Sequence, residues 1–411
     1  MNILFLTLHD IRSVQNRGIY EDLIRELASR GHRVDVVSTD ESGGDARVID
    51  EGAVRIRKVP TGAVQQTGLL RKGVNTLLLG PRLKAAVRRH LRDRKYDLVL
   101  YPTPPITAAA AVDYVRRRDG ARTFLLLKDI FPQNAVDIGM MTKTGPKGMI
   151  WRYFRRQEKR LYALSDFIGC MSPANVDYLL THNPEIDAGR VAVCPNSLEP
   201  LDRSLSAAAR SALRRKLGLP EDRVIFLYGG NLGRPQGIPF LMDCLRASAD
   251  VPEAFFLVVG GGTEAHLLRE YVERERPGHV KYLAKLPREE YDALAGACDV
   301  GLIFLDHRFT IPNFPSRLLS ILSAHLPVLA VTDTASDVGR VAEEAGFGWW
   351  RESDDALAVA RKIRDIAEDP EGRRAAGEAG WQYLQAHWTA KNTADTIFSL
   401  ISPGNKEESL P

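Results

Sequence analysis

Cysteine is scarce in this sequence. Its 411 residues hold four, Cys170, Cys194, Cys244 and Cys298, widely spaced and never as CxxC. That excludes a disulfide framework and a thiolate zinc site, and points to a reducing, cytoplasmic setting. Long apolar runs are also absent: none approaches the ~20 residues that cross a bilayer. The opening MNILFLTL has no basic n-region and no small-residue cleavage site, so it reads as a first strand rather than a signal peptide. There is no HxxxH and no dense Asp/Glu box, so no metal cofactor is expected. Asp306-His307 is the nearest candidate, and two residues do not make a site. The dinucleotide fingerprint G-x-G-x-x-G and the P-loop G-x-x-x-x-G-K-[ST] are both missing, which argues against an NAD enzyme and an NTPase.

A large net charge is lacking too, at +4, but its distribution is uneven. Basic clusters fall at 71–95, 115–122 and 152–160, all in the first half. Basic, partly amphipathic faces attract anionic lipid headgroups or nucleic acid, and each cluster alone also suits a solvated helix face. A membrane surface is the expected partner, without nucleic acid. The segment 64–80, VQQTGLLRKGVNTLLLG, suits a membrane surface or an amphiphilic substrate.

The chain is too long for one core. Strand-like apolar runs alternate with stretches of helical periodicity: MNILFLTL, IYEDLIRELASRG and HRVDVVST make the first βαβ unit. Residues 63–95 read as two helices. Near residue 200 the chain turns polar and alanine-rich, and the pattern then restarts at VIFLYGG. The reading is α/β, with two doubly wound Rossmann-like domains.

Candidate chemistry lies at strand ends, where doubly wound sheets bind ligands. Gly18 precedes the first helix and suits either close phosphate approach or a simple turn. Lys128 and Asp129 end a central strand, as site residues or as a plain salt bridge. The loop GGNLGRPQG holds Gly230, Asn231, Arg234 and Gln236; its glycines suit an anion and Arg234 offers a planar fork for phosphate. The stretch FTIPNFPSRLLSILSAHLPVLAVTD places a helix start after a buried strand. Pro315 suits a first helical turn, Asn313 or Ser316 could cap it, and Arg317 adds charge. Two helix starts on one sheet, near 233–238 and 313–318, could hold a diphosphate.

These pieces, with NRGIYEDLIRELASRGHRVDVV, FFLVVGGG and LPREEYDALAGACDVGLIFL, resemble glycosyltransferase family 4. LKDIFPQNAVDIGMM and PSRLLSILSAHLPVLAV look closest to its WbuB-like branch. The resemblance implies the GT-B fold, two facing domains with a deep cleft. Residues 1–198 would bind the acceptor, completed by a C-terminal helix at about 381–403, and residues 199–380 would bind the nucleotide sugar. It implies a retaining, metal-independent transferase at the inner membrane face. The enzyme would move a sugar, an N-acetylated aminosugar, from a UDP-sugar to a polyprenyl-linked saccharide in surface-polysaccharide synthesis. Ser316, Arg317, Leu318 and Leu319 would offer amides to the diphosphate, residues 312–314 would lie near the sugar, and Ser320 near the ribose. Lys128 and Asp129 would be catalytic, Asp129 orienting the acceptor or acting as base. Pro312 and Ser320 stand where the family has two Glu, Asn231 and Gln236 where it has Arg and Lys, and Lys128 where it often has His. Arg234 would take over the missing basic role. A non-catalytic nucleotide-sugar scaffold and an epimerase of the same fold remain alternatives.

Overall fold

The structure, a computed structural model, describes residues 1–40, 47–60, 69–146 and 148–402, with the backbone alone for 69–78. Much of the 64–80 segment and of the cluster at 71–95 therefore lies outside the described side chains. The chain divides into two units, Met1–Glu199 with Thr389–Pro411, and Pro200–Trp388.

The first unit carries an eight-stranded sheet. Its strands are β1 (Asn2–Thr7), β2 (Arg33–Asp40), β3 (Val48–Glu51), β4 (Val54–Pro60), β5 (Leu98–Pro102), β6 (Arg122–Leu127), β7 (Phe167–Cys170) and β8 (Val191–Val193). Their order is β3-β4-β2-β1-β5-β6-β7-β8. Every pairing is parallel except the β3–β4 hairpin. Alternate residues of β1 enter opposite cores, Leu4 and Leu6 on one face and Ile3 and Phe5 on the other. A parallel sheet covered on both faces explains why its strands read as unbroken apolar runs.

Two helices expected between 63 and 95 are one, Leu69–His90, running through Pro81. Proline removes a helical hydrogen bond. Here Leu79, Leu83, Ala86 and Val87 are buried in the core, and that burial outweighs local propensity. The helix Pro173–His182 was not expected; its signal is Ser172, whose side chain accepts from the Asn175 amide just before a proline.

The second unit has six parallel strands: β9 (Val224–Asn231), β10 (Ala254–Gly261), β11 (Val280–Leu283), β12 (Val300–Phe304), β13 (Val328–Thr332) and β14 (Gly348–Glu352). Their order is β11-β10-β9-β12-β13-β14. The winding reverses between β9 and β12, so the crevice at their carboxyl ends is where a doubly wound sheet takes ligand. In the first unit the same reversal falls between β1 and β5.

The return to the first unit comes at Thr389, later than the expected 381. The helix Pro370–His387 is a single element held in the second unit, where a Cβ on Gly377 would lie 2.2 Å from the His325 carbonyl. Thr389 then starts the last helix, Ala390–Ile401, with a reciprocal cap: its hydroxyl accepts from the Asn392 amide and Asn392 Oδ1 accepts from the Thr389 amide. That helix buries Ala394, Ile397 and Ile401 in the first unit's core. Among the described residues no helix is long and apolar enough to cross a membrane.

Candidate active site

The strand β9 ends in Gly229 and Gly230, and the two glycines have different reasons to be there. A Cβ on Gly229 would lie 2.0 Å from the Tyr291 hydroxyl, so this glycine makes room for a half-buried tyrosine. Gly230 has φ +127, a conformation side chains rarely adopt, and the Arg317 guanidinium carbon lies 3.7 Å from where its Cβ would be. Gly260 on β10 packs against the Gly230 carbonyl. Close packing therefore explains most of the glycines of this loop, and only Gly230 faces a cation. Gly229→Val is expected to cost about 1–3 kcal/mol of stability through overpacking. Urea melts check this; the ring carbons Cε2 and Cζ of Tyr291 would lie 2.4 Å from the added Cβ, so Tyr291→Phe should not rescue it.

Arg317 decides the electrostatics. Its guanidinium lies over the Tyr228 ring, 4.9 Å from the centroid. Its Nη1 is buried without a hydrogen-bond partner, and no carboxylate pairs with it among the described residues. Leaving a desolvated donor on a charged group unmade is expensive, so an anion is the natural complement.

Arg234, expected to supply the basic role, is exposed and faces an acid of the chain. Its side chain is 55% exposed and its Nε lies 3.7 Å from Glu264 Oε1. Asn231 and Gln236 hold each other: Asn231 Nδ2 donates to Gln236 Oε1 at 2.8 Å, and the Gly233 amide donates to the same oxygen at 3.3 Å. A neutral amide clasp thus closes the loop.

The helix after Pro315 is short, Arg317–Ser323, and its start is more closed than expected. The Leu318 amide donates to the Pro315 carbonyl and the Leu319 amide to the Ser316 carbonyl, both at 3.2 Å. They are not offered to a ligand; those of Ser316 and Arg317 come before the first such bond. Seven residues also give only a small helix dipole. Neither expected side chain caps the helix, since Ser316 makes no cap bond. Asn313 is fixed instead by its backbone: its amide donates to Ser336 Oγ at 2.9 Å, and Asp333 accepts from the Ser336 amide and hydroxyl at 2.8 and 2.9 Å. Asp333 stands one residue past β13 and burial pushes its carboxyl up to about 6. Its signal was the Asp that ends PVLAVTD. Ser320 is half-buried in the helix and Pro312 is buried. Asp306 is held by Arg308 at 2.7 and 2.8 Å, which removes it as a metal candidate.

In the first unit, Lys128 and Asp129 leave β6 side by side but form no salt bridge with each other. Thr103 Oγ1 accepts from both amides, at 2.9 and 3.1 Å, and fixes the strand end. Lys128 Nζ donates to the Cys194 carbonyl at 3.1 Å, and burial lowers its pKa. Asp129 is open to solvent at its surface, yet the protein packed around it pushes its carboxyl up to about 6. Tyr20 is close by: burial first, then the charges of Asp129 and Glu21, raise its hydroxyl pKa.

At Gly18, expected to approach a phosphate, the helix start is taken up by carboxylates of the chain itself. Its amide donates to Asp22 Oδ1 at 3.3 Å, and a Cβ would lie 2.0 Å from Glu21 Oε2. Two carboxylates of the chain already occupy that helix start and would repel a phosphate.

Residues 19–197 match the model of a glycosyl transferase 4-like domain, and residues 209–382 the model of glycosyl transferases group 1. The chain belongs to glycosyltransferase family 4. This glycosyltransferase is 25% identical to WbjE of Pseudomonas aeruginosa, named as a probable glycosyltransferase, over 69% of each chain. It is 23% identical to WcaI of Escherichia coli (strain K12), named as a colanic acid biosynthesis glycosyl transferase, over 78% of this chain and 81% of that one. Among solved structures it is similar to sucrose-phosphate synthase from Thermosynechococcus elongatus, with TM-score 0.75, 19% identity and 98% of both chains covered. HepE of Anabaena, solved in complex with UDP, gives TM-score 0.67 at 16% identity over 98% of this chain and 100% of that one. At these identities the solved structures establish the shared GT-B fold of the glycosyltransferase.

Proposed function

We propose that this glycosyltransferase moves an N-acetylated aminosugar from a UDP-sugar to a polyprenyl-linked saccharide, with retention at the anomeric carbon, in surface-polysaccharide synthesis of the WbuB-like kind. The observation that carries it is the Arg317 guanidinium at the β9 loop, buried at Nη1 and without a counter-charge. A nucleotide diphosphate supplies the missing charge, and the charge that develops on it as the sugar departs is stabilised by a donor already in place. The solved complex of the structural neighbour HepE with UDP, and the colanic acid role named for WcaI, support this choice of donor and pathway.

With Pro312 and Ser320 in place of two acids, no covalent nucleophile stands at those positions. The acceptor hydroxyl therefore attacks on the face from which the diphosphate leaves, and Asp129 orients that hydroxyl or takes its proton. The grip needs no metal: guanidinium and peptide N–H groups carry the charge. The enzyme works at the inner face of the cell membrane, where a polyprenyl carrier presents its head.

Millimolar UDP is expected to raise the melting temperature by several degrees, with or without EDTA. Transfer from a panel of UDP-sugars to a polyprenyl diphosphate saccharide, with the product anomer read by NMR, tests the reaction. Binding without turnover would make the chain a scaffold. Inversion would remove the retaining mechanism, and free epimers without an adduct would make it an epimerase.

A further inference from the structure

Exposed large apolar side chains are few in the described residues, and four of them gather in one short stretch of the first unit. Met140, Met149, Ile150 and Tyr153 are 59%, 66%, 53% and 38% exposed, while the others are scattered singly. Three of the four stand on the first turns of the helix Gly148–Leu164. Isolated exposed apolar residues need no explanation, but three at i, i+1 and i+4 on one helix, with a fourth a few residues before it in the chain, do.

The charges around them are of one sign. Residues 138–157 contain five basic residues and no acidic one. Arg152 and Arg156 lie between and beside the apolar side chains, are exposed, and make no ion pair among the described residues. Further along the helix the pattern changes: Lys159 pairs with Glu185 and Arg160 with Asp113. Trp151, in the same turn, has no partner for its indole N–H and lines a cavity of about 200 Å³ with Lys143 and Arg155. Exposed apolar side chains interleaved with unpaired cations match a bilayer surface, acyl chains below and headgroup phosphates above.

We propose that this edge, Met140 with Met149–Arg156, is where the enzyme seats on an anionic bilayer, with Met149, Ile150 and Tyr153 among the acyl chains and Arg152 and Arg156 on headgroup phosphates. The inference rests on the membrane-surface reading above and fixes which of the basic stretches makes the contact. The helix Leu69–His90 carries the competing cluster. There Arg88, Arg89 and nearby Arg92 are exposed, but the apolar side chains beside these three, Val87 and Leu91, are buried in the core.

Cosedimentation with vesicles of phosphatidylcholine, with and without phosphatidylglycerol, separates the outcomes. Met149→Ser with Ile150→Ser and Tyr153→Ser, and separately Arg152→Glu with Arg156→Glu, are each expected to lower partitioning onto anionic vesicles by about tenfold or more. Arg88→Glu with Arg89→Glu and Arg92→Glu should stay within about threefold of wild type. UDP-induced thermal shifts should survive in all three, since the changed side chains are on the surface. Wild-type binding that only Arg88→Glu with Arg89→Glu and Arg92→Glu weakens would overturn the inference and leave the membrane reading standing. No wild-type binding to anionic vesicles would overturn both. Equal binding to neutral and anionic vesicles, unchanged by Arg152→Glu with Arg156→Glu, would remove the role of the arginines and with it the proposed seat.

Discussion

Arg317→Met is expected to weaken UDP binding by about 10- to 100-fold while leaving the stability of the free enzyme within about 1 kcal/mol of wild type. Both halves follow from the same observation. A charge-assisted hydrogen bond to a phosphate contributes roughly 1.5–3 kcal/mol, and about 1.4 kcal/mol is tenfold in affinity. Removing a buried cation usually strands its counter-ion, but among the described residues no carboxylate is bonded to Arg317, so none is stranded. The stacking over Tyr228 is lost, at about 0.5–1 kcal/mol, and the end of an unfavourable desolvated donor offsets it. Arg317→Lys keeps the charge but not the planar stack, and should fall between. Arg234→Met, by contrast, removes an exposed side chain already facing Glu264 and should change UDP affinity by less than about threefold. Calorimetric titration of UDP and urea melts of the three variants check this. A large loss of stability in Arg317→Met with unchanged UDP affinity would make Arg317 a structural residue.

Asp129→Asn is expected to lower kcat by about 10²- to 10⁴-fold with little change in KM for the donor, as for loss of a positioned base. The carboxyl, pushed up to about 6 by the protein around it, also dictates a pH signature. Its folded pKa lies above the unfolded value of ~3.9, so the native state binds more protons than the unfolded one between those values. Ionised Asp129 therefore destabilises the fold at pH 7–8, and the penalty disappears as the pH falls below about 4. Asp129→Asn should raise stability at pH 8 by of order 1 kcal/mol, discounted for its exposed surface, and have no effect near pH 4. In the wild type, kcat/KM should fall on the acid side with an apparent pKa near 6. A variant that loses activity but gains no stability at pH 8 would mean that solvent or a neighbouring group already compensates the ionised carboxylate in the free enzyme.

The fold was largely legible because parallel strands buried on both faces leave continuous apolar runs, and alternation with helical periodicity then fixes the class. What failed locally failed for tertiary reasons. Pro81 marks a break by every local rule, yet buried side chains on the following turns carry the helix past it. The loop residues were found by their place at strand ends, and Arg317 and Asp129 were among them. Their partners were not. Sequence cannot show that Asn231 and Gln236 bond to each other, or that Arg234 faces Glu264 while Arg317 faces no acid. Nor can it show that the Gly18 amide is occupied by Asp22, which turns an expected phosphate site into a self-capped helix start. Asp333, Tyr228 and Tyr291 carried little local signal because their roles depend on elements distant in the chain.

The account stands on one unsatisfied cation. A crystal structure of the enzyme with UDP tests it most directly. It should show a diphosphate oxygen within about 2.7–3.2 Å of Arg317 Nη1, beside the Gly230 backbone. UDP ordered elsewhere, or bound with its phosphates on Arg234 and Arg317 still without a partner, would contradict it.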